Sequence, residues 1–294
     1  MKLCLGTVQF GMDYGIAKNG RPSRAEVMVL LEYAIEQGIR CFDTAAAYGE
    51  AEEVIGAFFK DQPRDAFEII TKIRPDALDG VPVAEYTETI QTELARSVEK
   101  LGIGYVDGCL FHNAESVYDE HALGSLARLK ETGLAQKTGV SIYMPGQFFI
   151  ANESPHVDIV QLPYNLIDNR LDGFLPAAEK EIHARSVFLQ GLLLMEPANT
   201  PAHLPEARGV IEKIDACCKK HKVSRSVLLM SYVKQNKHID KIVFGVDTLS
   251  QLKEILSDYN ADIDMEIIAT LKEELPAASE RLLVPSMWNT EEMA

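Results

Sequence analysis

Positive charge is scarce in this chain. Its 294 residues hold 29 Lys and Arg against 44 Asp and Glu, a formal net charge of −15. Nucleic acid and anionic membrane surfaces are therefore excluded as bulk partners, because both need a basic face. An anionic cofactor is not excluded, since it needs only local donors. No apolar run approaches the roughly 18 residues of a membrane span, and Met1-Lys-Leu-Cys-Leu-Gly6 shows no charged leader followed by an apolar region. Cysteine is sparse: five residues at 4, 41, 109, 217 and 218, with no C-x-x-C pair and no zinc spacing. They read as reduced thiols packed as small hydrophobes, and a cytoplasmic location is expected. No metal site is expected. The dinucleotide fingerprint G-x-G-x-x-G is also missing: the first turn reads Gly6-Thr-Val-Gln-Phe-Gly11, and the next helix starts too late for a Rossmann phosphate turn.

What the chain does contain is a repeated unit. Short apolar strands are expected at 2–5, 39–42, 67–72, 106–112, 135–140, 158–162, 186–189 and 241–244. Helices separate nearly all of them. Ser23-Arg-Ala-Glu26 has capping-box spacing and opens a helix that Gly38 ends. Tyr86, Ile90, Leu94, Val98 and Leu101 recur at steps of three and four within a helix over 84–101, closed by Gly102. Further helices are expected at 50–59, 123–131, after Pro145, and at 171–182, 206–221, 224–235, 248–256 and 265–275. The stretch 8–22 reads as a long loop, and the tail 276–294, which holds the only tryptophan, Trp288, shows no clear pattern. Short apolar strands alternating with helices imply a parallel sheet covered on both faces. Eight such units favour a closed (β/α)8 TIM barrel, α/β in class and forming a single domain over residues 1–294.

Three of the expected strands end on an ionisable residue: the second on Asp43, the third on Lys72, the fourth on His112. In such a barrel, these side chains would meet at the C-terminal mouth, where chemistry is done. Tyr48, five residues past Asp43, can reach over them. A phenol near pKa ~10 is a poor acid at neutral pH, but an adjacent ammonium favours its phenolate. Lys72 supplies that ammonium, Asp43 would hold Lys72, and a neutral His112 can donate a hydrogen bond to a carbonyl. A site of this kind moves a proton at an oxygen whose carbon changes by hydride, so it needs a redox cofactor. Singly, each residue has an ordinary reading: a loop Asp, a buried phenol, a solvated strand-end Lys, a satisfied core His. All four in one order is a much stronger signal.

That order resembles the aldo-keto reductase superfamily. Phe42-Asp-Thr-Ala-Ala-Ala-Tyr-Gly-Glu50, Leu101-Gly-Ile-Gly-Tyr-Val-Asp-Gly-Cys-Leu-Phe-His112, Lys137-Thr-Gly-Val-Ser141, Gln161-Leu-Pro-Tyr-Asn-Leu166, Gln190-Gly-Leu-Leu193 and Phe244-Gly-Val-Asp-Thr-Leu-Ser-Gln-Leu252 are each similar to family segments. The likeness runs from about residue 2 to 275. It implies a barrel that binds NAD(P)(H) and reduces an aldehyde or ketone, with Tyr48 as proton donor, Lys72 and Asp43 tuning it, and His112 orienting the carbonyl. It also implies nicotinamide carboxamide contacts from Ser141 and Gln161, a cofactor lining from Thr7 and Ser186, and Gly245, Gln251 and Glu254 along the adenosine half.

The chain departs from the family at six places. Ile142 stands where Asn is usual, Arg185 where a tyrosine often stacks on the nicotinamide, and Ile255 where an Asn contacts adenine. Gln251 takes the place of an Arg for the 2′-phosphate, and Asp247 that of a basic residue. A carboxylate at 247 repels a 2′-phosphate and can accept from a ribose hydroxyl, which leans the choice between NADP and NAD toward NAD. Asn113, where a bulky aromatic is frequent, suggests a roomier pocket for a polar, sugar-derived carbonyl. The alternative implied by the lost Asn and Tyr is a nucleotide-binding module, redox-sensing or regulatory, without efficient turnover.

Overall fold

The computed structural model describes residues 1–16 and 20–288. Eight parallel strands close into a barrel in sequence order: β1 Leu3–Gly6, β2 Cys41–Asp43, β3 Glu68–Ile73, β4 Val106–Phe111, β5 Ala135–Ser141, β6 Ile159–Pro163, β7 Glu181–Arg185 and β8 Lys241–Gly245. Around them run α1 Val8–Gly11, α2 Arg24–Glu36, α3 Ala51–Phe59, α4 Tyr86–Leu101, α5 Glu120–Ala127, α6 Pro145–Glu153, α7 Pro205–His221, α8 Arg225–Gln235, α9 Leu249–Asn260, α10 Met265–Glu274 and α11 Glu280–Leu283. The Ser23 capping box forms as the spacing requires, and Gly102 ends α4 at φ +64°, a conformation that costs glycine little.

Strand alternation divides the core in two. Outward residues such as Leu5, Phe42, Ile69, Val140 and Ile182 join the helices in one large cluster, while Cys4, Cys41, Ile70, Leu110, Ile159 and Val243 form a separate buried cluster that fills the barrel. Register ties the second group together: Cys4 pairs with both Cys41 and Val243. Gly108 makes this packing possible, because a Cβ there would lie 2.7 Å from Ile70 Cδ1 and 2.9 Å from Ile159 Cδ1. Two residues further along each strand, the same alternation aims Asp43, Lys72, Ser141 and Gln161 inward, one layer above the plug. The N-terminal end of the barrel carries the ion pairs Lys241–Glu68 at 2.6 Å and Lys137–Glu181, with a hydrogen bond between His183 Nε2 and Glu181 Oε1 at 2.8 Å.

One region departs from the sequence reading. The expected helix 171–182 is absent. A single 3-10 turn, Leu175–Ala177, stands there, and the seventh strand is Glu181–Arg185 rather than 186–189. Gly173 and Pro176 break the helix. Glu-Ile-His-Ala-Arg has a single β-branched residue, but it fills the gap between β6 and β8 and gains both ladders. The β-prone Ser186–Leu189 becomes a tight turn, with Ser186, Leu189 and Gln190 at positive φ. Smaller differences are α1 within the expected 8–22 loop, and α11 with a 3-10 turn in the tail. Trp288 is 5% exposed, joins the main core cluster and donates from Nε1 to the Leu282 carbonyl of α11.

Candidate active site

Asp43 is the fixed point of the mouth. Its backbone carbonyl accepts from the Thr7 amide (2.9 Å) and Thr7 Oγ1 (3.1 Å), which ties β2 to β1. Its carboxylate is held on both oxygens: Lys72 Nζ donates to Oδ1 at 2.5 Å and Gln161 Nε2 to Oδ2 at 2.8 Å. Lys72 also donates to the Thr44 carbonyl at 2.9 Å. All these side chains are buried; Lys72 is 1% exposed. An ammonium so deep persists only with a paired anion. Desolvation works to lower its pKa, but the Asp43 charge and the nearby phenol more than offset this and leave it raised.

Tyr48 covers the pair. Lys72 Nζ lies 5.1 Å from the centre of the phenol ring, and the His112 ring stands perpendicular to that ring with centroids 5.5 Å apart. The Tyr48 ring keeps partial access to solvent, but its hydroxyl is desolvated, and that raises its pKa. Lys72 pulls in the opposite direction, as expected from the sequence, yet burial prevails, so the resting phenol carries its proton at neutral pH. Burial, then Lys72 and Arg185, push the His112 imidazole down to about 4, so it is neutral. Its Nδ1 is buried without a protein partner among the described residues.

The residues implied for cofactor contact are dispersed along one side. Gln161 is engaged with Asp43 and so belongs to the frame that holds Lys72. Thr7 is likewise fully buried and bonded to β2. Ser141 Oγ accepts from Arg185 Nε at 3.3 Å, and Ser186 Oγ from Arg185 Nη1 at 3.3 Å. Gly245 ends β8, and a Cβ there would collide with the side-chain amide of Gln9. Beyond it, Asp247, Thr248 and Leu249 face Ala25, Glu26 and Val29 across a recess of about 350 Å³. Gln251 closes a capping box with Thr248, its Oε1 accepting from the Asp247 amide at 2.6 Å. Glu254 is exposed and accepts from Ser250 Oγ at 3.2 Å, and Ile255 packs into the core. Asn113 caps the following turn through the Glu115 amide (3.1 Å), so its side chain is already committed.

Sequence reading passed over Thr44 and Gln9. Thr44 Oγ1 and Gln9 Oε1 are buried without hydrogen-bond partners among the described residues. With His112 Nδ1 they are unspent polar atoms around the mouth, and the recess beside α9 lies past the end of β8. That set suits a ligand that is polar at one end and extended along β8, as a dinucleotide is. No pattern marks Gln9 in the sequence. Thr44 lies within the segment that carries Asp43 and Tyr48.

A closed parallel barrel thus brings a buried Lys–Asp pair, a phenol and a neutral imidazole together at its C-terminal mouth, groups that can hold and move a proton at a bound oxygen. The Aldo/keto reductase family profile matches residues 2–275, and the chain belongs to that family. It is 29% identical to a D-threo-aldose 1-dehydrogenase of Pseudomonas sp over 94% of both chains, and 23% identical to an NADH-specific methylglyoxal reductase of Escherichia coli (strain K12) over 95% of this chain and 96% of the other. Its fold is shared with a thermostable aldo-keto reductase bound to the inhibitor epalrestat. The TM-score is 0.72 at 21% identity, covering 93% of this chain and 94% of that one.

Proposed function

We propose that this protein catalyses the reversible, NAD(P)(H)-dependent reduction of an aldehyde or ketone. The observation that carries this reading is the Lys72 ammonium, fixed by Asp43 at 2.5 Å beneath the Tyr48 phenol. A reduced nicotinamide held at the mouth would supply the hydride to the carbonyl carbon. Tyr48 then gives its proton to the carbonyl oxygen. The phenolate left behind is stabilised by Lys72, whose charge persists because Asp43 is its counter-ion and Gln161 holds that carboxylate in place. Neutral His112 donates an N–H to the same oxygen and orients the carbonyl. In the reverse direction the phenolate takes the alcohol proton.

Asp247 and Glu26 put two carboxylates at the recess where the adenosine half would lie, which favours NAD over NADP by repelling a 2′-phosphate. Similarity to an aldose dehydrogenase supports a small, sugar-derived carbonyl as substrate. The buried or half-buried free thiols support the cytoplasm as location, and no helix among the described residues is long and apolar enough to cross a membrane. Titration with NADH and NADPH, followed by a neutral carbonyl panel, tests the reading: tighter NADH binding and its oxidation by at least one aldehyde are expected. Binding of NADH without oxidation across the panel would favour instead a nucleotide-binding regulatory module, a reading that the engagement of Ser141 by Arg185 would suit.

A further inference from the structure

Among the described residues, Arg185 is a charge at the mouth that the proton-transfer machinery does not use and that has no counter-ion. It ends β7, half-buried, with its guanidinium 4.3 Å above the ring of Tyr143. Its protein partners are all neutral: Ser141 Oγ, Ser186 Oγ and the Ile142 carbonyl, at 3.3, 3.3 and 3.0 Å. Arg170, bonded to the Tyr143 carbonyl nearby, shows the contrast. It meets the Asp168 carboxylate with two nitrogens, at 2.8 and 3.0 Å. No carboxylate lies within ion-pair distance of Arg185 among the described residues. A guanidinium has five N–H donors, and three are used, which leaves one on each terminal nitrogen. The charges felt by the His112 imidazole are Lys72, Asp43 and Arg185. Lys72 and Asp43 form an ion pair, and Arg185 adds a positive charge beside it in a protein of net charge −15. A partly desolvated cation without a counter-ion is costly, and a chain rich in carboxylates has not supplied one.

We infer that Arg185 is a specificity-determining residue that binds a carboxylate on the substrate, so that the preferred substrates are carbonyl compounds carrying an acid group. The two remaining N–H groups match the two oxygens of a carboxylate, the arrangement Arg binds best. The stack on Tyr143 and the bonds to β5 hold the guanidinium in place before the ligand arrives. This inference rests on the carbonyl-reductase reading for the words "substrate" and "carbonyl", but not for the anion site itself.

The test compares acids with their own methyl esters, which differ chiefly in charge: glyoxylate, succinic semialdehyde and 4-carboxybenzaldehyde, with NADH in excess. At least one acid is expected to exceed its ester by more than about tenfold in kcat/KM, chiefly through KM. In Arg185→Gln that ratio should collapse by about tenfold or more, whatever general loss the substitution brings, and Arg185→Lys should keep part of it. Esters equal to or better than acids throughout, or an unchanged ratio in Arg185→Gln, would overturn the inference while leaving carbonyl reduction intact. If no carbonyl is turned over, titration of the NADH-loaded protein with benzoate and benzamide decides. Tighter benzoate binding that disappears in Arg185→Gln upholds the anion site, and equal binding of the two overturns it.

Discussion

Three side chains at the mouth have properties that their neighbours impose. Lys72 stays charged in the interior only because Asp43 is there, so the two should behave as a unit. Lys72→Met removes the cation and leaves a buried carboxylate unpaired, and we expect a loss of about 3–5 kcal/mol in stability by urea denaturation, together with near-complete loss of turnover. The double variant Lys72→Met/Asp43→Leu should recover most of that stability and none of the activity; a double variant no more stable than the single would contradict the pairing. His112 offers a pH test. Its folded pKa of about 4 lies below the ordinary 6.5, so as pH falls the unfolded chain takes up the proton first. Its contribution to stability is constant above pH ~6.5 and erodes between 6.5 and 4, by roughly 1–3 kcal/mol for a side chain that keeps some solvent access. The wild-type protein should therefore lose that much more stability than His112→Gln between pH 7 and 4.5, and parallel curves would contradict the buried, neutral imidazole.

Among the elements, the strands that carry the site were legible because their signals are local. Cys41–Asp43, Glu68–Ile73 and Val106–Phe111 are apolar and β-rich; Asp43 ends the first, Lys72 is next to last in the second and His112 follows the third, so pattern and position agreed. The strand Glu181–Arg185 was not legible. Its inward positions are Glu181 and His183, which read as polar, and its stability comes from ladders to β6 and β8 that no window of sequence contains. The same limit explains Gln161, whose partner Asp43 lies 118 residues away, and Arg185, whose neighbours come from β5. Gln251 shows a different limit: Thr248-x-x-Gln251 forms a capping box, a local signal, whereas the cofactor role of Gln251 is implied by the family likeness alone. The barrel plug gives a prediction at this scale. Gly108→Ala presses a methyl onto Ile70 and Ile159, and a cost of about 1–3 kcal/mol is expected, partly relieved by Ile70→Val in the same chain. No relief, measured by thermal or urea unfolding, would mean that the strain lies in the backbone rather than in the plug.

For the whole molecule, the acidic surface and the small positive mouth act on different steps. A net charge of −15 repels an anionic dinucleotide at long range. The association rate of NADH, followed by stopped-flow fluorescence, should therefore rise with ionic strength between about 20 and 200 mM, and that of NADPH more steeply because it carries more charge. A rate that falls with salt would reveal a locally positive approach that outweighs the net charge.

The central claim is that the Tyr48 phenol delivers the proton. Steady-state turnover and NADH affinity of Tyr48→Phe, measured on the same preparation, test it most directly. Removing one hydroxyl should leave the NADH dissociation constant within about threefold of wild type and cut kcat for aldehyde reduction by about 10² or more. A variant that retains activity within tenfold of wild type would contradict the account.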